Sequence, residues 1–166
     1  VVLPETQKDV ALFQVYEEQG LYVDSLAPDA VFQVGDITDG NTPAEWAYAE
    51  SSATPMFPEL YPAEGNHDIG PGGSATDRLS LMDQYFGSER LGLKHRNTFE
   101  GRVNNSYYYL HACGVDWIIL TLEFGPRDVV MNWADSVLAL HEATHRAVIV
   151  THAFTFWDGT IHGDPS

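Results

Sequence analysis

Cysteine occurs once in the 166 residues, at Cys113. A single thiol excludes an intrachain disulfide framework and a thiolate zinc cluster. Its setting, directly after the apolar stretch 107–112, predicts a buried small apolar group. Basic residues are scarce too. Eight Lys and Arg stand against 24 Asp and Glu, for a formal net charge of −16. The field of such a chain repels polyanions, which argues against nonspecific binding to nucleic acid or to an anionic membrane. No apolar run approaches the ~20 residues that a membrane-spanning helix needs. Internal repeats and low-complexity tracts are absent. No signal peptide or initiator methionine is visible, and the chain opens on Val1-Val2-Leu3. With the acidity, that favours a processed, secreted or extracellular protein. What is present is a core: apolar residues make up 44% of the chain, enough for a single domain over 1–166.

Residues 1–3 read as the end of a short strand. Residues 8–26 carry apolar residues at helical spacing, Val10, Phe13 and Leu21 among them, and predict one helix. The run 29–36, "DAVFQVGD", reads as a buried strand, and 43–51 as a helix with proline in its first turn. A weakly apolar segment leads into Gly65. Residues 69–104 look irregular, with "GPGG" as a flexible hinge and a short helix near 77–85. Residues 106–124 predict a β-hairpin turning at Cys113-Gly114. An amphipathic helix over 129–140 and a buried strand over 146–152 follow. Strands alternating with helices predict an α/β layered domain with parallel pairing, plus an antiparallel element from the hairpin.

Polar clusters fall at the carboxyl ends of the predicted strands, where open α/β sheets place their ligands. Glu5 and Gln7 follow the first strand, Asp36 and Asp39 the second, Asn66 and His67 the third, and His152 the last. Each has an ordinary alternative. Glu5 and Gln7 suit a helix N-cap region, Asp36 and Asp39 a polar turn, and His152 a satisfied core histidine. Four clusters at four successive strand ends argue for one site. The donors are carboxylate, carboxamide and imidazole, a set suited to Mn, Fe or Zn. A carboxylate such as Asp36 can bridge two ions, and such a pair draws the pKa of a bound water toward neutrality. Glu123, at the end of a strand, reads as solvated. "HEATH" at 141–145 matches the zinc-protease pattern His-Glu-x-x-His, but a strand begins directly after it and no third ligand follows.

Three motifs, "GDITD" at 35–39, "GNHD" at 65–68 and "VTHAF" at 150–154, with "LPETQ" at 3–7, resemble the calcineurin-like metallophosphoesterases. The resemblance spans nearly the whole chain and implies a layered sandwich of mixed β-sheets flanked by helices. It implies a metal-dependent phosphoric ester hydrolase, acting on mono- or diesters, with two divalent or trivalent ions (Mn, Fe or Zn). In that reading Glu5 and Gln7 bind the first ion, Asp36 bridges both, and Asn66 and His152 bind the second. His67 protonates the leaving group, Asp39 orients His67, and Asp68 braces the turn. The chain departs from the pattern in two places. Glu5 replaces the usual aspartate, and the last motif, Gly-His-x-His, is absent. The expectation is an N-terminal portion of a longer domain or a degenerate member. The alternative is a non-catalytic structural or surface protein that keeps the fold without a complete metal site. A cationic group after the GNHD turn, Arg78, Arg90, Lys94, Arg96 and Arg102, either draws in an anionic substrate or pairs with neighbouring acids.

Overall fold

The first three strands are short because their apolar runs are short and each is closed by proline or glycine. In the computed structural model, which describes residues 1–12, 15–57, 59–87, 96–153, 155 and 159–160, they are β1 (Val2–Leu3), β2 (Val31–Gln33) and β3 (Leu60–Pro62). They pair in parallel in the order β1-β2-β3. The helices between them are α1 (Gln7–Ala11), α2 (Tyr16–Ser25) and α3 (Pro43–Ala53). Then come α4 (Met82–Tyr85) and a second sheet of β4 (Arg96–Phe99), β5 (Arg102–Ala112), β6 (Val115–Thr121) and β7 (Arg146–Val150). Helix α5 (Asp128–His141) connects β6 to β7. The second sheet has the order β4-β5-β6-β7, antiparallel except for the parallel β6–β7 pair. The fold is mixed α/β with two sheets. No helix among the described residues is long and apolar enough to cross a membrane.

Side-chain alternation sorts the core into three layers of contact. Leu3, Val31 and Leu60 leave one face of the first sheet and join Val10, Tyr16, Trp46 and Phe86 from the helical side. Phe32 and Tyr61 leave the other face and meet Tyr108, Trp117 and Ile119 of the second sheet. Ile118 and Leu120 leave the far face of that sheet and are covered by Val130, Ala134 and Val137 of α5. Tyr107, Tyr108 and Trp117 are thus cross-strand and inter-sheet packing residues. Helix α3 starts on a capping box between Thr42 and Glu45, with Pro43 in its first turn. Such a cap contributes about 1 kcal/mol.

Several expectations need correction. Residues 8–26 are not one helix: α1 and α2 are separate, and Val15 between them has φ 64. Val10 and Tyr16 are both fully buried in one cluster. On a continuous helix, six residues apart, they would point about 120° away from each other. The break lets both reach the core. Phe13 of the expected helix lies outside the described residues. The stretch expected to be irregular contains β4 and the start of β5, whose polar residues hide the strand because β4 is an edge. The expected helix near 77–85 shrinks to α4.

Cys113 is exposed, not buried. It shares a two-residue hairpin loop with Gly114, with φ 53 and 72, between the paired Ala112 and Val115. Loops with both residues at positive φ match the strand twist, so turn geometry overrides the apolar preference. Strand β7 is an edge strand with Ile149 half exposed, where a buried strand was expected. Gly73 in "GPGG" is packed rather than a free hinge: a Cβ there would lie 2.4 Å from the Asp39 carbonyl oxygen and 2.8 Å from that of His67.

Candidate metal centre

The loops after β1, β2, β3 and β7 meet at one place. These are not four successive strands, because β7 belongs to the second sheet. They converge because two glycines remove the side chains that would hold the loops apart. A Cβ on Gly35 would lie 2.8 Å from His152 Cβ and 2.9 Å from the Gly65 nitrogen. A Cβ on Gly65 would lie 2.2 Å from both the backbone nitrogen and Oδ1 of Asp36. Asp36 has φ 49, a conformation uncommon for a residue with a side chain. Strain of this kind, held by surrounding structure, is a recurrent property of functional sites.

Glu5, Asp36 and His152 each offer a ligand atom there, all within 4.8 Å of one another. His152 Nε2 lies 3.5 Å from Asp36 Oδ2 and 3.9 Å from Glu5 Oε1. His152 Nδ1 is 3.0 Å from the Val34 carbonyl. A carbonyl only accepts, so Nδ1 is the donor, and Nε2 is the ring atom that faces the two carboxylates. A proton on Nε2 or a cation at that point satisfies all three groups. Ligands about 2.0–2.2 Å from one ion stand roughly 3 Å apart, so the trio closes on a metal by side-chain shifts of less than about 1 Å. Gln7, the first residue of α1, adds a second indication: its buried Oε1 has no hydrogen-bond partner among the described residues. Asn66, half-buried, opens the turn Asn66–Asp68 directly after Gly65. The donor set therefore fits a cation. Glu5 and His152, expected on different ions, border the same point, and Glu5 is the exposed member with 58% of its side chain accessible.

His67 is tied to this centre by its backbone, whose N–H donates to Asp36 Oδ1 at 2.9 Å. Its ring Nδ1 is 2.8 Å from the Asp39 carbonyl oxygen and 3.5 Å from Asp39 Oδ1. The main orienting contact is therefore the backbone of Asp39, where its carboxylate was expected. That carboxylate is engaged by Lys8 Nζ at 2.6 Å. Asp68 braces the turn, as anticipated. It is fully buried and accepts from the amides of Ile37, Thr38 and Gly65 at 2.8–3.0 Å. Burial pushes its carboxyl up to about 6, and the hydrogen bonds from Thr38, Gly65 and Ile37 limit the rise.

Glu64 has no part in the sequence-based expectations. It is buried, and Asn104 Nδ2 donates to its Oε2 at 2.9 Å. Glu64 Oε1 and Asn104 Oδ1 have no partner among the described residues. Burial raises the Glu64 carboxyl to about 8, against a smaller opposing effect of the Asn104 hydrogen bond. A proton on Oε1 converts one unpartnered acceptor into a donor. The consequence for stability follows from linkage. The folded value, about 8, lies above the ordinary 4.5, so the folded state holds the proton more tightly. Stability is full below that ordinary value and falls as pH rises from there through the folded value. Asp68, raised from 3.8 to about 6, adds to the loss at the lower end. In metal-free protein, Glu64→Gln should flatten this decline and stabilise at pH 8.5 by on the order of 3–5 kcal/mol. Urea midpoints of both proteins at pH 5.5 and 8.5 measure it. Parallel declines would remove Glu64 as the cause.

Glu123, two residues past the end of β6, is buried, not solvated. Burial raises its pKa, but hydrogen bonds from Arg127 and Asn105 outweigh that and hold it below the usual carboxylate range. Arg127 Nε donates to it at 2.8 Å, and Arg78 lies 3.5 Å away while donating to the carbonyls of Phe124 and Gly125. Arg102 pairs with Asp83 at 3.3 Å. Local pairing thus describes Arg78 and Arg102, while Arg90 and Lys94 lie outside the described residues, as do Phe154 and His162. Among the described residues Lys8 is the cation that reaches this centre, and its place beside Gln7 was the signal for it. Compared with known proteins, the chain matches no family model and no curated protein.

Proposed function

We propose that the chain is a metal-dependent phosphoric ester hydrolase of the calcineurin-like metallophosphoesterase type. The observation that carries this reading is the convergence of Glu5, Asp36 and His152 on one point, with His67 anchored to the same Asp36. Glu5, Gln7, Asp36, Asn66 and His152 would hold two ions of Mn, Fe or Zn. The ions would supply charge for the phosphoryl oxygens and an activated water. His67 keeps its Nδ1 proton on the Asp39 carbonyl, so its Nε2 is the atom that can carry a proton to the leaving oxygen as the P–O bond breaks. Lys8, exposed, pairs its charge with Asp39, the residue whose carbonyl orients His67.

The exposure of Glu5 favours a second reading, a non-catalytic structural or surface protein that keeps the fold without a complete metal site. Metal content after dialysis against manganese, with hydrolysis of nitrophenyl phosphate and bis-nitrophenyl phosphate, tests both. The hydrolase reading expects bound metal and slow ester cleavage. Absence of cleavage overturns the hydrolase reading, and absence of bound metal together with it selects the second.

A further inference from the structure

Helix α5 covers the outer face of the second sheet only as far as His141, and one more turn of backbone follows. The His145 amide donates to the His141 carbonyl at 2.9 Å, so the two imidazoles stand one helical turn apart. Their ring centroids are 5.2 Å apart, and the Tyr109 ring lies 5.3 and 5.4 Å from them. A hydroxyl holds one nitrogen of each ring. His141 Nε2 is 3.1 Å from Tyr109 OH, and His145 Nδ1 is 2.8 Å from Thr144 Oγ1. Thr144 Oγ1 also donates to the His141 carbonyl at 3.3 Å, so His145 Nδ1 is the donor to Thr144 and its Nε2 keeps the lone pair. His141 Nδ1 has no hydrogen bond among the described residues. With His141 Nε2–H donating to Tyr109 OH, each ring has one anchored nitrogen and one free lone pair, the arrangement that metal-ligating histidines adopt.

We infer that His141 and His145 form a two-imidazole clip for a borderline divalent ion, Zn(II), Ni(II) or Cu(II), with water in the remaining positions. The ring spacing agrees with this. A metal–nitrogen bond of about 2.1 Å places the ion about 3.2 Å from each ring centroid, and a tetrahedral angle then separates the centroids by about 5.2 Å. With no carboxylate in the clip, Mg(II), Ca(II) and Mn(II) are poor occupants. Asp116, bonded to His111 Nδ1 at 2.7 Å on the neighbouring strands, adds a negative charge near His145. The clip precedes β7, whereas His152 follows it, so this site and the carboxylate centre lie at opposite ends of one strand. It is independent of the proposed hydrolysis.

The test uses the wild-type chain and His145→Gln, a change at a half-exposed position, with His141→Ala as a second variant. Equimolar Ni(II) should broaden the amide resonances of Tyr109 and residues 141–145 in nitrogen–proton correlation spectra. Each variant should abolish that broadening while leaving any effect near Asp36 and His152 unchanged. Zn(II) competition should show affinity at this site at least tenfold weaker in both. Unbroadened Tyr109 and 141–145 signals in the wild type, or broadening that persists in His145→Gln, would overturn the proposal.

Discussion

Asp36→Asn should lose metal, and His67→Ala should keep it. Asn has the shape of Asp and can still accept the His67 amide through one oxygen, a bond of 2.9 Å in the native protein. It removes the charge and places an NH₂ group where Asp36 Oδ2 now lies, 3.5 Å from His152 Nε2. That group competes with a cation for the same lone pairs. Affinity should fall at least about 100-fold, near 3 kcal/mol. His67 acts differently. Its tie to Asp36 runs through the backbone amide, which alanine retains. Truncation should leave metal affinity within about threefold while slowing hydrolysis about 10²- to 10⁴-fold, the usual contribution of a positioned proton donor. Metal titration calorimetry with steady-state kinetics separates the two. Equal metal loss in both variants would contradict the division of roles.

Gly65→Ala should be the most damaging small substitution in the chain. The added methyl would sit 2.2 Å from the Asp36 nitrogen and Oδ1 and 2.9 Å from its Cα. Two of those atoms are backbone and cannot rotate away. The requirement is space rather than torsion, since Gly65 has φ −106 and ψ −179, which alanine adopts readily. The loop must shift, which should cost about 4 kcal/mol and lower Tm by roughly 8–16 °C at this chain length. Metal binding should fall with it, because Asp36 itself is displaced. Gly114→Ala provides the comparison. Its φ is 72 but a Cβ there meets nothing within 4 Å, so only torsional strain of about 1 kcal/mol applies. Thermal melts of both variants decide the matter. Comparable losses would mean that the loops do not meet as closely as described.

The amino-acid sequence by itself determined the α/β class, the parallel and antiparallel pairings, the hairpin turn at Cys113-Gly114 and the polar residues at strand ends. These are local properties, set by apolar period, turn residues and caps, and they are legible wherever one short window contains the cause. The break between α1 and α2 and the strand β4 were not legible, since each depends on what packs against it, whereas the exposure of Cys113 follows from the turn and was missed by weighing its apolar neighbours instead. The same holds within the candidate centre. Sequence pointed to Glu5, Gln7, Asp36, Asn66, His67 and His152, but only the tertiary structure decided that His152 shares a point with Glu5 as well as Asp36. Only it put the carbonyl of Asp39, not its carboxylate, closest to His67 Nδ1. Burial of Glu64 and Glu123 was decided there too, because a carboxylate is costly to enclose until a partner such as Asn104 or Arg127 arrives from a distant strand or the following loop. Glu64 and Asn104 stand 40 residues apart, so no short window of sequence contains both, and although Arg127 follows Glu123 by four residues, only the folded chain shows that the pair is enclosed.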